Sequence, residues 1–249
     1  MSAPALSVRD LHYSYPDGHY ALNGISLDVA PGERVAVLGP NGAGKTTLAL
    51  HFNGVLEPRG GTVTVGGLVL SKETVKEIRR RVGIVFQDPD DQLFMSTVFE
   101  DVAFGPANLG LSGEQLGETV KQSLAEVGMD PFHDRPPHHL SFGQRRRVAV
   151  ATVLSMNPEI VVLDEPTSNL DPASRRELAE ILIKLEPTMI MNTHDLPYAL
   201  ELCPRSVIMD AGVIVADGPT HGLLQDEELL RRHRLELPYG FDPSSVELG

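Results

Sequence analysis

The chain of 249 residues carries 34 acidic against 21 basic side chains, a formal net charge of -13, and a single cysteine, Cys203. That balance disfavours nucleic acid as the main partner, and one cysteine excludes an internal disulfide and fits a reducing compartment. The length suits one globular unit with an inserted subdomain; with no signal-peptide pattern at the start and no run of about eighteen apolar residues, any membrane is expected to be served through partners.

In chain order, Leu6-Ser7-Val8 and Ala21 to Val29 read as strands of an antiparallel β layer, broken by the turn Pro16-Asp17-Gly18. Tyr13 and Tyr15 stand two apart and share a face on a strand, a spacing that favours packing over stacking of Tyr15 on a purine base. Arg34 to Leu38 reads as a buried strand and Thr47 to Phe52 as the first turns of a helix. Between them, Gly39-Pro40-Asn41-Gly42-Ala43-Gly44-Lys45-Thr46-Thr47 fits the phosphate-loop pattern of a Gly, four residues, then Gly-Lys-Ser/Thr. The glycines let successive amides converge on phosphate oxygens, and the helix N-terminus adds partial positive charge. Lys45 can reach the outer phosphates, and the Thr46 hydroxyl can ligate the Mg²⁺ that bridges them.

Gly60 to Gly67 reads as a strand between glycine turns, Lys72 to Arg81 as helix, and Val82 to Phe86 as a buried strand. Gln87 ends that strand at the edge where α/β sheets gather ligands, with an ordinary polar-loop role as the alternative. From Asp88 to Met156, Pro89, Pro106, Pro131, Pro136 and Pro137 divide short helices, a texture expected of a helical insertion. Leu116, Val120, Leu124 and Val127 share one face there, and Ser112 with Gln115 forms a candidate capping box for a helix over 114–128. Ser141 and Gly143 stand at the start of a helix that runs on from Arg145, where free amides bind anions.

Ile160 to Leu163 reads as a central parallel strand ending in Asp164 and Glu165; the first suits an Mg²⁺ shell, the second orienting or deprotonating the attacking water. Ser168 to Pro172 opens a helix whose Leu178, Ile181, Leu182 and Leu185 face the sheet. Thr188 to Thr193 is a further buried strand, and His194 at its end suits a γ-phosphate contact. Ser206 to Asp210 and Val213 to Ala216 make a hairpin, followed after Pro219 by a polar, helix-containing tail.

The phosphate loop, Gln87, Leu140 to Gln144, Asp164-Glu165, Asp171 and His194, in that order, make residues 5 to 220 resemble the nucleotide-binding subunit of an ATP-binding-cassette (ABC) transporter. The resemblance implies a P-loop α/β fold of the ABC ATPase type: one domain over 1–249, with a nucleotide-binding core (1–87 and 157–218), a helical subdomain (88–156) and a tail (219–249). It implies ATP and Mg²⁺ as ligands, Tyr15 stacked on adenine against the packing role its spacing favours, and Gln87 linking Mg²⁺ and the γ-phosphate to the membrane partner. It also implies that Ser141, Gly143 and Gln144 form the signature segment contacting ATP held by a second cassette, identical or paralogous. Asp171 then couples the two sites, and His194 is the switch histidine.

Gln87 to Phe94, Glu100 to Pro106 and Asn108 to Leu111 are most similar to the ATPases of energy-coupling-factor importers, especially the cobalt or nickel type, with vitamin importers as the alternative. The implied partners are a transmembrane coupling protein and a substrate-binding membrane subunit, at the cytoplasmic face of the membrane, with no nucleic acid. A non-transport ABC protein acting on ribosomes or DNA is the competing class. Two positions depart from the pattern: Phe142 replaces a glycine inside the signature, with function expected to be retained, and Asn169 replaces a small residue, where an inter-subunit hydrogen bond is expected. His133, His138 and His139 are read as an ordinary lead-in to the signature rather than a metal site.

Overall fold

In the computed structural model, which describes residues 3–245, the chain builds two sheets with a helix between them. The first is antiparallel and has the order β2-β1-β4-β5, formed by β1 (Leu6–Ser14), β2 (Tyr20–Val29), β4 (Gly60–Val65) and β5 (Leu68–Val69). The second has the order β10-β9-β3-β8-β7-β6. In it β3 (Arg34–Leu38), β6 (Val82–Val85), β7 (Ile160–Asp164), β8 (Thr188–Thr193) and β9 (Arg205–Asp210) run parallel, and β10 (Val213–Pro219) closes one edge antiparallel to β9.

The parallel strands are buried at nearly every position because both faces are covered. Val35, Val37, Ile160, Val162 and Ile190 point to the core shared with the antiparallel sheet and with α1 (Lys45–Phe52). Their alternates Ala36, Leu38, Val161, Leu163, Met189 and Met191 enter a second core with the helices. That core is built by α3 (Val98–Asn108), α4 (Gly113–Glu126) and α5 (Phe142–Leu154), inserted between β6 and β7, together with α6 (Pro172–Ile183) and α7 (Leu196–Leu202). The short α2 (Val75–Arg81) leads into β6. Leu178 and Leu182 of α6 are buried in the second core, with Ile181 and Leu185 packed against it.

Three local expectations change. The helix expected from Lys72 begins at Val75, because residues 71–74 form a turn in which the Thr74 hydroxyl accepts the Ser71 amide (2.9 Å). Ser112 stands at the N-cap of α4 but makes no capping bond, since Gly113 follows in the left-handed region (φ 58) and turns the chain away from the first-turn amides. The reciprocal boxes lie elsewhere, at Thr97 with Glu100 and at Ser141 with Gln144. The segment after Pro219 is not merely polar: α8 (Thr220–Gln225) and α9 (Glu227–Arg232) bury Leu224 and Leu230 in the helical core, as does Leu235 just beyond.

Candidate functional site

The loop joining β3 to α1 is held by close backbone approach. A Cβ at Gly39 would lie 2.3 Å from the Met209 carbonyl oxygen, and one at Gly44, where φ is 102°, would lie 2.6 Å from that of Ala21. Only glycine fits at either position. Within the loop the Ala43 amide donates to the Pro40 carbonyl (3.2 Å), and Ala43 accepts from the Gly212 amide (3.1 Å). Gly44 caps α1 without any side-chain bond, so the first amides of that helix have no side chain satisfying them. The buried Lys45 ammonium donates to the carbonyls of Gly39 (2.7 Å) and Pro40 (3.2 Å).

Opposite the loop, the C-terminal ends of β6, β7 and β8 deliver Gln87, Asp164, Glu165 and His194 to one edge. The Thr46 hydroxyl donates to Asp164 Oδ2 (2.8 Å), and the buried Asn192 amide donates to Asp164 Oδ1 (3.0 Å). This hydroxyl and carboxylate, with the Gln87 amide exposed at the same cleft, form an all-oxygen donor set that fits Mg²⁺. Glu165 is 6% exposed and has φ 46°, a rare conformation for a residue with a side chain. Its Oε2 lies 2.7 Å from His194 Nδ1, and its Oε1 lies 3.5 Å from Lys45 Nζ. A carboxylate fixed between an ammonium and an imidazole can accept a proton from water or orient it.

Lys45, Thr46, Gln87, Glu165 and His194 line a cleft of about 400 Å³ together with Tyr15, His19, Asn41, Gly42 and Thr47, with Asp164 behind Thr46. A cavity of about 740 Å³ lies among α4, α5 and α6, away from the strand ends that carry Glu165 and His194. Tyr15 stands just past β1, its hydroxyl 2.9 Å from Thr47 Oγ1 and its ring edge-on to Tyr13 with centroids 5.1 Å apart. The ring is therefore at the mouth of the cleft as well as against a neighbour.

Ser141, Gly143 and Gln144 are not among the residues lining this cleft. Ser141 Oγ accepts the Gln144 amide (3.2 Å), and Gln144 Oε1 accepts the Ser141 amide (2.9 Å). A Cβ at Gly143 would lie 2.4 Å from Ser174 Oγ, so this glycine lets α5 approach α6. Phe142, in place of a glycine, turns its half-buried ring toward the guanidinium carbons of Arg145 and Arg146, 5.6 and 5.5 Å from its centroid. Asn169 adopts φ 62°, the left-handed conformation that asparagine tolerates, which gives it a local backbone reason. Asp171 caps α6 and accepts from the amides of Ser174 and Ala173 and the Ser174 hydroxyl, bonds that hold its carboxyl below the usual range. The histidines before the signature separate: His133 Nδ1 lies 2.9 Å from the Asp130 carbonyl oxygen, whereas His138 and His139 pack edge-to-face.

His19, which lines the cleft, and two residues that brace the site escaped the sequence reading. Asn192 orients Asp164, and its signal was a polar side chain within a strand otherwise suited to burial. Arg146 lies wholly inside the protein and donates to the carbonyls of Phe86 and Gln87; three consecutive arginines gave no sign of which would turn inward.

A family model described as "ABC transporter" matches residues 22–168. An ABC transporter ATP-binding protein of Streptomyces avermitilis is 67% identical over 249 residues, covering all of this chain and 95% of the relative. An energy-coupling factor transporter ATP-binding protein, EcfA, of Methanothermobacter thermautotrophicus is 49% identical over 238 residues, 94% of this chain and 76% of the relative. Among solved structures, cbiO1 from Clostridium perfringens, described as part of the ABC transporter complex cbiONQ, superposes with a TM-score of 0.83 at 38% identity, covering 95% of this chain and 97% of that one.

Proposed function

This chain belongs to the ABC transporter family as an ATP-binding subunit, and on that premise we propose that it is the ATP-hydrolysing subunit of an energy-coupling-factor importer. The observation that carries the catalytic reading is Glu165, held between Lys45 and His194 beside the Thr46–Asp164 pair. Lys45 and the amides of residues 41–47 hold the phosphates, and Tyr15 stacks on the base. Glu165 and His194 align the attacking water, with Gln87 sensing the outer phosphate. Thr46, Asp164 and Gln87 hold Mg²⁺, which when bound neutralises charge on the transferred phosphoryl group.

Ser141, Gly143 and Gln144 serve the ATP of a second cassette, so the active unit is a pair. Their position outside the chain's own cleft supports this. Among the described residues no helix is long and apolar enough to cross a membrane. We infer attachment to the cytoplasmic membrane face through a transmembrane coupling protein, which in turn contacts a substrate-binding subunit, a reading supported by the EcfA relative and the cbiO1 neighbour. Phe94 and Phe104, 63% and 45% exposed and packed edge-to-face 5.0 Å apart beyond Gln87, support a docking surface for that partner. The EcfA relative and the cbiO1 neighbour support the energy-coupling-factor type. Cobalt or nickel is the first cargo to test and a vitamin the second.

Glu165→Gln tests the catalytic reading: nucleotide binding should persist while steady-state ATPase falls by about a hundredfold or more. An unimpaired rate would remove Glu165 from the reaction. Co-purification separates the classes, since recovery with ribosomes or DNA and never with a polytopic membrane protein would sink the importer reading.

A further inference from the structure

Arg146 is fully buried, yet among the described residues no carboxylate pairs with it. A buried, unpaired guanidinium is expensive, so what it grips has to be specific. Its Nη1 donates to the Phe86 carbonyl (2.6 Å) and its Nη2 to the Gln87 carbonyl, so one planar fork spans two successive carbonyls where β6 ends. Burial draws the group down to about 10, partly opposed by the nearby charges of Asp88 and Asp164, and it remains a cation at neutral pH.

The other main-chain group of Phe86 is tied to the same helix. Gln92 Oε1 accepts the Phe86 amide (3.0 Å), while Gln92 Nε2 donates to the Ala149 carbonyl (2.8 Å) and to Thr152 Oγ1 (2.7 Å). Arg145 Nε lies 2.9 Å from Asp90 Oδ1. Thus α5, which begins at the Ser141–Gln144 cap, holds residues 86–92 through three polar ties, two of them on the backbone beside Gln87.

We propose that Arg146 is a positioning residue that fixes the main chain of Gln87 from the helix carrying the signature segment, so that the segment facing a second cassette and the glutamine facing this chain's own nucleotide move together. The proposal rests on the reading that Gln87 senses the outer phosphate. Lysine in the same place keeps the charge but lacks the planar fork that meets the two carbonyls with separate nitrogens, and glutamine would remove the charge altogether.

The test measures the affinities of the full-length chain with Mg²⁺ for ADP and for a non-hydrolysable ATP analogue, in the parent, Gln87→Ala, Arg146→Gln, Arg146→Lys and each Arg146 variant combined with Gln87→Ala. Gln87→Ala should reduce the preference for the triphosphate by about tenfold, the scale of one charge-assisted hydrogen bond. Arg146→Gln should reproduce that loss, Arg146→Lys should show part of it, and neither should add to it in the double variant beyond about twofold. A general loss of packing would instead weaken both nucleotides alike and multiply with Gln87→Ala. If Gln87→Ala shifts the preference and the Arg146 variants do not, or if the losses multiply, the coupling is overturned while the role of Gln87 stands. If Gln87→Ala leaves the preference unchanged, the role of Gln87 fails and the coupling with it. Should Arg146→Gln not fold, the lysine variant and its double decide the same question.

Discussion

At the start of α1 the cap is Gly44, left-handed, with no side chain bonding the first amides; at the start of α5, Ser141 and Gln144 satisfy one another's amides in a closed box. Both are helix N-termini with the same intrinsic attraction for anions. They differ in readiness. The α1 end has Lys45, Thr46 and the ends of three strands converging on it from its own chain, whereas the α5 end carries its own cap and lies outside that cleft. A phosphate can meet the first amides directly, but at the second it has to compete with Ser141 and Gln144. The difference teaches that the α1 end stands open within its own chain, while the α5 end is closed as a helix cap.

Removing the charge at the ready end should have the largest effect. Lys45→Ala is expected to lower ATPase by about a thousandfold, the upper range for one preorganised donor to developing phosphate charge. A loss under tenfold would mean the amides of the loop suffice alone. Second is Ser141→Ala, which opens the closed box. It should destabilise the fold by about 1 kcal/mol in denaturant titration, leave ATP affinity of the isolated chain unchanged, and lower ATPase most at protein concentrations where chains pair. Weakened binding in the isolated chain would erase the distinction between the two helix ends.

A smaller change is expected from Phe142→Gly, which removes a ring lying against two guanidinium groups. With about 0.5–1 kcal/mol at stake in such contacts, ATPase should stay within several-fold of the parent. A rise from none to robust would mean that Phe142 disables the natural signature. The smallest effect concerns Asp171, which orients α6 against Gly143 through Ser174. Its folded carboxyl is held low by bonds from Ser174 and Ala173, so its contribution is present above the ordinary carboxylate range and is lost as pH falls below it. Asp171→Asn should therefore narrow the stability gap between neutral and acid solution, measured as melting temperature against pH. An unchanged profile would leave Asp171 without an acid-linked role.

Much of the site was legible because its chemistry is local. The Gly39–Thr47 loop announces itself by spacing, and Asp164, Glu165 and His194 each follow a run of residues suited to a buried strand, the place where parallel sheets present ligands. Local patterns misled at Ser112, where a Ser and a Gln at capping spacing make no cap because Gly113 turns the chain away. They named no partner for Asn192 or Arg146, whose roles depend on residues far along the chain.

What the amino-acid sequence determined by itself was the inventory: which segments are strands or helices, which loop has the phosphate-loop pattern, and which carboxylates end buried strands. Periodicity and backbone preference act over a few residues and are written there directly. What only the tertiary structure decided was the pairing of that inventory: Thr46 with Asp164, Glu165 between Lys45 and His194, and Arg146 on the carbonyls of Phe86 and Gln87. Most of these contacts join residues that sequence separates and the parallel sheet brings to one edge, and no local period encodes which will meet.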